Sequence, residues 1–334
     1  MWLREVKPFP RDFLGLNSAR RWWSDNPMMR LVKPILACLA LSGCASELIL
    51  DADEALAVIP RQFSGSGHIV VETRLNGLGP FRFAIDTGAS ISVVYEHARA
   101  EVGIEPFENI QVHVLCMTGS GVFRLGQVDE IRVGKEPWID ARVALLPSTS
   151  PSASRIDGIL GIDFLSQYAV LYSQQERVLH LYPKEFVADD TYQGWSRIPL
   201  RELRVGDGNA AVLVFDMLID AERIPTVFDL GATVNVMNWR AARALDILVR
   251  RPQRDPEVYG VSGSTKVLAE LRVWRLRIEN STWWNKVFLV GEFPLFGALG
   301  IDGQPAAVAG TDLFGQRDFI IDFARERLLV RTRD

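Results

Sequence analysis

Two short stretches of this chain carry residue types that do chemistry when brought together: FAIDTGASISVV at positions 83–94 and VFDLGATVNVM at positions 227–237. Each sets an aspartate at the end of an apolar run and follows it with small residues. Asp86 matches Asp229, Gly88 matches Gly231, Ala89 matches Ala232 and Ser90 matches Thr233, at a constant offset of 229 − 86 = 143 residues. A lone carboxylate at the end of a buried strand has no packing use, because burying an unpaired charge is costly. Two carboxylates held side by side share that cost, since they do not both ionise easily and keep one proton between them. Such a pair offers one group that takes a proton and one that gives a hydrogen bond, which suits it to activate a water. Gly88 and Gly231 let the two turns approach without side chains between them, with backbone N–H groups free to bond the carboxylates. Ser90 and Thr233 are expected to offer a hydroxyl to each outer carboxylate oxygen.

The surrounding sequence predicts the elements that position them. HIVVETRLNGLGPFRFAID alternates as strands do, with a hairpin turn at Asn76–Gly79, and short alternating runs continue through Val122–Val133 and Ala141–Leu146. The internal repeat runs on past the aspartates: Ala98 matches Ala241, Val102 matches Leu245 and Ile104 matches Ile247, on two predicted short helices, the second opened by an N-cap at Asn238. A further matched pair, ILGIDFL at 159–165 and VAGTDLF at 308–314, lies at 310 − 161 = 149 residues, and each is followed by a strand-like close, AVLYSQQERVLHLY and FIIDFARERLLVR. Two copies of one β-rich unit are expected, at residues 67–185 and 193–334. Gly-rich hairpin tips occur at MTGSGVF, with Gly119 and Gly121, and at YGVSGSTKV, with Gly260 and Gly263.

Asp86-Thr87-Gly88-Ala89-Ser90 resembles the Asp-Thr/Ser-Gly-Xaa-Ser/Thr motif of aspartic proteases, and Ile159-Leu160-Gly161 and Val308-Ala309-Gly310 resemble the hydrophobic-hydrophobic-Gly elements of that family. The size of each half is closer to two fused retropepsin-like units than to a full-sized pepsin. The resemblance implies a mainly β, bilobal aspartic-protease fold (double-psi-type β-barrel) made of two tandem homologous units with short helices. It implies catalysis by Asp86 and Asp229, supported by Thr87, Gly88, Ser90, Gly231 and Thr233, with the two Gly-rich hairpins as flap candidates over an extended polypeptide. Because both aspartates lie on one chain, no homodimer is required. One position departs from the family: Leu230 stands where a Thr or Ser would join its counterpart Thr87 in the hydrogen-bonded grip beneath the pair. That departure keeps a second reading open, a pseudo-protease that binds peptides or envelope proteins without cutting them.

Residues 28–46 read MMRLVKPILACLALSGCAS, a positive start, an apolar run and small residues before Cys44, which is the pattern of a secretory signal. The apolar run is shorter than the ~20 residues a spanning helix needs. Leu41-Ser42-Gly43-Cys44 resembles the lipobox of bacterial lipoproteins, which implies lipid on Cys44, a signal and extension over 1–43, a tether over 44–66, and an exported protein anchored at the periplasmic face, at the outer membrane. Only Cys38, Cys44 and Cys116 are present, so no internal disulfide is expected once the first is removed and the second lipidated. His68, His97, His113 and His180 are scattered without metal-ligand spacing and read as surface or packing residues, with no metal or cofactor expected. The net charge of −4 and its even spread give no basic footprint for nucleic acid.

Overall fold

The first hairpin shows how sequence becomes architecture in the N-terminal half. Asn76 and Gly77 take φ of 49° and 79°, the left-handed conformation that a two-residue turn between twisted strands demands, and Leu75 pairs with Leu78 across it. The computed structural model describes residues 52–148, 156–187, 194–205, 210–252, 257–260 and 263–332. Within them β1 (Ala57–Phe63), β2 (Ile69–Leu75), β3 (Leu78–Ile85), β4 (Val93–Tyr95), β5 (Pro106–Cys116), β6 (Gly119–Val133), β7 (Glu136–Leu146) and β8 (Gly158–Leu160) run side by side in the order β1-β2-β3-β8-β4-β7-β6-β5. A further pairing of β2 with β6 curls this array back on itself as a barrel. β9 (Tyr168–Ser173) and β10 (Val178–Pro183) form the closing hairpin.

The C-terminal half opens with β11 (Trp195–Pro199), then builds β12 (Arg201–Val205), β13 (Ala210–Ile219), β14 (Glu222–Phe228), β15 (Asn235–Met237) and β16 (Val249–Arg250). β17 (Glu257–Gly260) and β18 (Gly263–Lys266) make a separate two-stranded sheet, and β19 (Ala269–Ile278), β20 (Ser281–Val290) and β21 (Ala307–Ala309) complete the second curled sheet, β12-β13-β14-β21-β15-β20-β19-β16, closed by β13 on β19. β22 (Phe319–Asp322) and β23 (Arg327–Arg331) end the fold. The molecule is mainly β. Among the described residues the α-helices are short, of one to two turns: α1 (Glu96–Val102), α2 (Ile162–Leu165), α3 (Trp239–Ala244), α4 (Pro294–Ala298) and α5 (Thr311–Phe314). Asn238 caps α3, its side-chain oxygen accepting the Ala241 N–H at 2.9 Å.

The two halves share one sheet. The closing hairpins β9–β10 and β22–β23 meet along β9 and β22, where Leu171 pairs with Ile320, giving the order β11-β23-β22-β9-β10-β1. Tyr172 stacks on Phe319 across that seam at 4.6 Å between ring centroids. Above the seam a continuous core takes Phe83, Ile85 and Leu160 from the first half and Phe215, Phe228, Leu230 and Phe314 from the second. This packing fixes the ends of β3 and β14 relative to each other.

The segment expected as a tether, 44–66, is structured from residue 52 onward. Ala57, Ile59 and Arg61 are buried while Val58, Pro60 and Gln62 are exposed, the alternation of a strand; β1 pairs with β10 through Ala57–Pro60 and with β2 through Arg61–Phe63. It therefore links the shared sheet to the first barrel, and the N-terminal unit begins well before residue 67. Cys44 and the expected leader lie outside the described residues. Among the described residues no helix is long and apolar enough to cross a membrane.

Candidate active site

Each aspartate is placed by the same local construction. β3 runs parallel to β8, with Ile85 opposite Leu160, and β8 runs antiparallel to β4, with Val93 opposite Ile159, so residues 86–92 form a loop pinned from both sides. The Asp86 N–H donates to the Leu160 carbonyl at 3.0 Å and the Ile162 N–H to the Ala89 carbonyl at 2.8 Å. In the second half β14 runs parallel to β21, β21 antiparallel to β15, and the Asp229 N–H and Thr311 N–H donate to the carbonyls of Ala309 and Ala232 at 3.1 and 2.9 Å. Gly161 and Gly310 are where these loops press on the chain below. A Cβ on Gly161 would lie 2.7 Å from the Ala89 carbonyl oxygen, and one on Gly310 would overlap that of Ala232.

The carboxyls face one another across the two loops. One oxygen of Asp86 accepts the N–H groups of Gly88 and Ala89 at 2.7 and 3.1 Å, and one oxygen of Asp229 accepts those of Gly231 and Ala232 at 2.9 and 3.1 Å. The two carboxyls hydrogen-bond each other. Each glycine lies against the aspartate of the opposite half: a Cβ on Gly88 would stand 2.6 Å from Asp229 Cγ, and one on Gly231 would strike the carboxyl of Asp86. Asp86 and Asp229 are each partly exposed. Desolvation raises the pKa of both above the ordinary aspartate value, and Asp229 is raised further because the charge of Asp86 opposes its own ionisation. The pair thus holds one proton at pH values where an isolated aspartate has lost it.

Beneath the pair Thr87 joins the two halves. Its hydroxyl donates to the Phe228 carbonyl at 2.9 Å and accepts the Leu230 N–H at 3.0 Å, and it is fully buried. Leu230, in the mirrored place, is 1% exposed and belongs to the core shared by both halves. Half of the expected grip is made by hydrogen bonds and the other half by apolar packing.

An aspartyl protease family model matches residues 71–164. The matched stretch runs from β2 through α2, so it carries Asp86, Thr87, Gly88 and Ser90 and the Gly161 loop beneath them. Over it the chain is similar to aspartyl proteases. No curated protein matches the chain.

Ser90 departs from its expected place in that aspartyl protease pattern. Its hydroxyl donates to the Ala211 carbonyl at 3.1 Å and accepts the Ala211 N–H at 3.3 Å, so it satisfies both polar groups of one β13 residue and ties the first loop to the second half. It is not the ligand of Asp86. Thr233 stands against Gly67, whose Cβ position lies 3.5 Å from Thr233 Cβ. Of the two hairpins, β5–β6 is the long one: Cys116 pairs with Gly119 across the tip, Gly121 pairs with Val114, and Leu115 and Met117 pack on a C-terminal cluster that includes Phe293, Leu295 and Phe296. The N-terminal flap candidate thus reaches the opposite half. Gly260 pairs with Gly263 in β17–β18.

The sequence reading left out two further polar clamps. Ser92 Oγ donates to Asp163 at 2.7 Å and its N–H to the same carboxylate at 2.8 Å, while the Gly161 N–H donates to Ser92 Oγ at 3.0 Å. Asn235 Nδ2 donates to Asp312 at 2.7 Å and Asn235 Oδ1 accepts the Gly310 N–H at 3.4 Å. Asp163 and Asp312 are themselves a matched pair at 312 − 163 = 149 residues, a signal in the sequence that could have found them. His68, read as a surface or packing residue, is half-buried, and burial holds its pKa below the ordinary imidazole value although the charge of Asp86 acts to raise it. No cluster of potential metal ligands occurs among the described residues.

Proposed function

We propose that this chain is an aspartic endopeptidase built of two retropepsin-like units in tandem, with Asp86 and Asp229 as one catalytic pair. The observation that supports this most is the reciprocal fit of the two loops, each glycine against the opposite carboxyl, which leaves two aspartates sharing a proton at a partly open surface. A water between them gives a proton to the ionised carboxylate as its oxygen attacks the scissile carbonyl carbon. The protonated partner hydrogen-bonds the carbonyl oxygen as it takes on negative charge. The tetrahedral species then collapses with the proton passing to the leaving nitrogen, and no covalent enzyme intermediate forms. An extended peptide is the substrate such a cleft accepts, its backbone pairing with the β5–β6 hairpin. Both aspartates come from one chain, so the reaction needs no homodimer.

In this reading the leader exports the protein and lipid on Cys44 holds it at the periplasmic face of the outer membrane. Incubation of protein starting at Ala45 with a peptide mixture, followed by mass spectrometry of new termini, tests the activity. Internal cleavage blocked by a statine-type peptide is expected, and an absence of new termini across acid to neutral pH contradicts it. The pseudo-protease reading draws on Leu230 alone, and a silent wild type awakened by Leu230→Thr would favour it.

A further inference from the structure

Outside the Asp86 and Asp229 loops a serine, a histidine and an aspartate stand in line. His97, expected only as a surface or packing residue, is the second residue of α1, and its ring bridges two side-chain oxygens. Nδ1 lies 2.5 Å from Ser148 Oγ, and Nε2 lies 2.8 Å from Asp157 Oδ1. The three come from separate elements, since Ser148 follows β7 and Asp157 precedes β8. Asp157 is the fixed member. Its N–H donates to the Arg82 carbonyl at 2.7 Å, its carbonyl accepts the Tyr95 N–H at 3.0 Å, and its second carboxylate oxygen accepts the Arg82 N–H at 2.7 Å. The Asp157 side chain is 9% exposed and that of His97 25%, while Ser148 is open to solvent. Burial thus decreases from the carboxylate, through the ring, to the hydroxyl.

A carboxylate accepts only, so the bond to Asp157 puts the ring hydrogen on Nε2. Nδ1 is left with its lone pair, and the Ser148 hydroxyl donates to it. The ring also lies parallel to that of Tyr95 within 14°, with centroids 6.4 Å apart. A hydroxyl bonded to a base that a third group orients is the arrangement that activates a serine as a nucleophile. The ring nitrogens serve in the opposite order to the usual Ser-His-Asp triad, and either order leaves one nitrogen free to take a proton.

We propose that Ser148, His97 and Asp157 form a second reactive centre, in which Ser148 takes an acyl group from small esters. The proposal goes beyond the endopeptidase reading and does not depend on it. The Ser148 hydroxyl proton passes to His97 Nδ1 as Oγ attacks the ester carbonyl carbon. The Oγ–C bond forms, the bond from that carbon to the leaving oxygen breaks, and the departing oxygen takes the proton from Nδ1. Asp157 accepts from Nε2–H throughout. The products are acyl-Ser148 and an alcohol; water then attacks the acyl-serine with His97 as base and releases the acid and the free hydroxyl. The exposure of Ser148 admits esters arriving directly from solvent.

A fluorophosphonate, which bonds to activated serines, is the first probe. The wild-type protein is expected to gain a single adduct by intact mass, placed at Ser148 by peptide mapping. His97→Gln is expected to slow that labelling by about 100-fold, the contribution of a general base, with the β-sheet spectrum unchanged. p-Nitrophenyl acetate is the second probe: the wild type is expected to release p-nitrophenolate, and Ser148→Ala, a change at an exposed position, to release it no faster than buffer. No adduct on the wild type, an adduct at another residue, or equal labelling of His97→Gln overturns the proposal, as does equal release by Ser148→Ala. Neither probe is a peptide, so both results stand whether or not the aspartate pair cleaves one.

Discussion

A Cβ placed on Gly88 would lie 2.6 Å from Cγ of Asp229, the aspartate of the opposite half. No side chain fits between the two loops. Gly88→Ala is therefore expected to force the carboxyls apart, costing about 1–3 kcal/mol of stability as overpacking does, and to remove activity out of proportion to that cost. Urea unfolding beside peptide hydrolysis checks it; an active Gly88→Ala protein of wild-type stability would mean that the loops have slack.

The hydroxyl of Thr87 serves two buried groups of the opposite half, the Phe228 carbonyl and the Leu230 N–H. Thr87→Val keeps the shape and strands both, so a loss of about 1–3 kcal/mol or more is expected in the urea midpoint. Leu230→Thr writes the familiar pairing into a site that is 1% exposed and apolar. It is expected to lower stability without raising the rate much, and a stabilised Leu230→Thr protein would contradict the apolar half of the grip.

Both carboxyls have pKa values above that of an unfolded aspartate, Asp229 the more so. The native state thus binds more protons than the unfolded one, and the pair's contribution to stability falls as pH rises from about 4, the unfolded aspartate value, through the raised folded value of Asp229. Asp229→Asn removes that penalty. Its thermal midpoint is expected to lie above the wild type's at neutral pH, with the gap closing in acid; a gap that widens in acid reverses the sign of the account.

Much of this site was legible from residue order alone, because a strand–Asp–Xaa–Gly loop and its supporting glycine recur at fixed offsets, and only glycine fits where two loops touch. The hairpin at Asn76 was legible for the same reason: Asn-Gly tolerates positive φ. β1 was not, since Pro60 and the following Ser-Gly run look like a linker and only its pairing with β10 and β2 shows its alternation as buried and exposed faces. Ser90 was misassigned because its nearest acceptor in sequence is Asp86, whereas its nearest in space is Ala211. His68 carries no motif. Its place depends on a turn whose Gly67 carbonyl accepts the Thr311 hydroxyl of the opposite half, which no spacing along the chain encodes.

Cys44 is proposed to carry the lipid that holds the protein to the membrane. Cys44→Ser is expected to move the protein from the membrane fraction to a soluble or unprocessed form, as read by fractionation and intact mass. Unchanged partitioning with unchanged mass would remove the anchor from the account.

The central claim is that Asp86 and Asp229 act as one unit, and hydrolysis of a peptide found to be cleaved by the wild type, measured for Asp86→Asn and Asp229→Asn, tests it most directly. Each single variant is expected to fold, to retain the β-sheet spectrum, and to lose hydrolysis as completely as the double variant does, because removing either member of a unit disables it. Near-wild-type hydrolysis by either single variant would contradict a shared site.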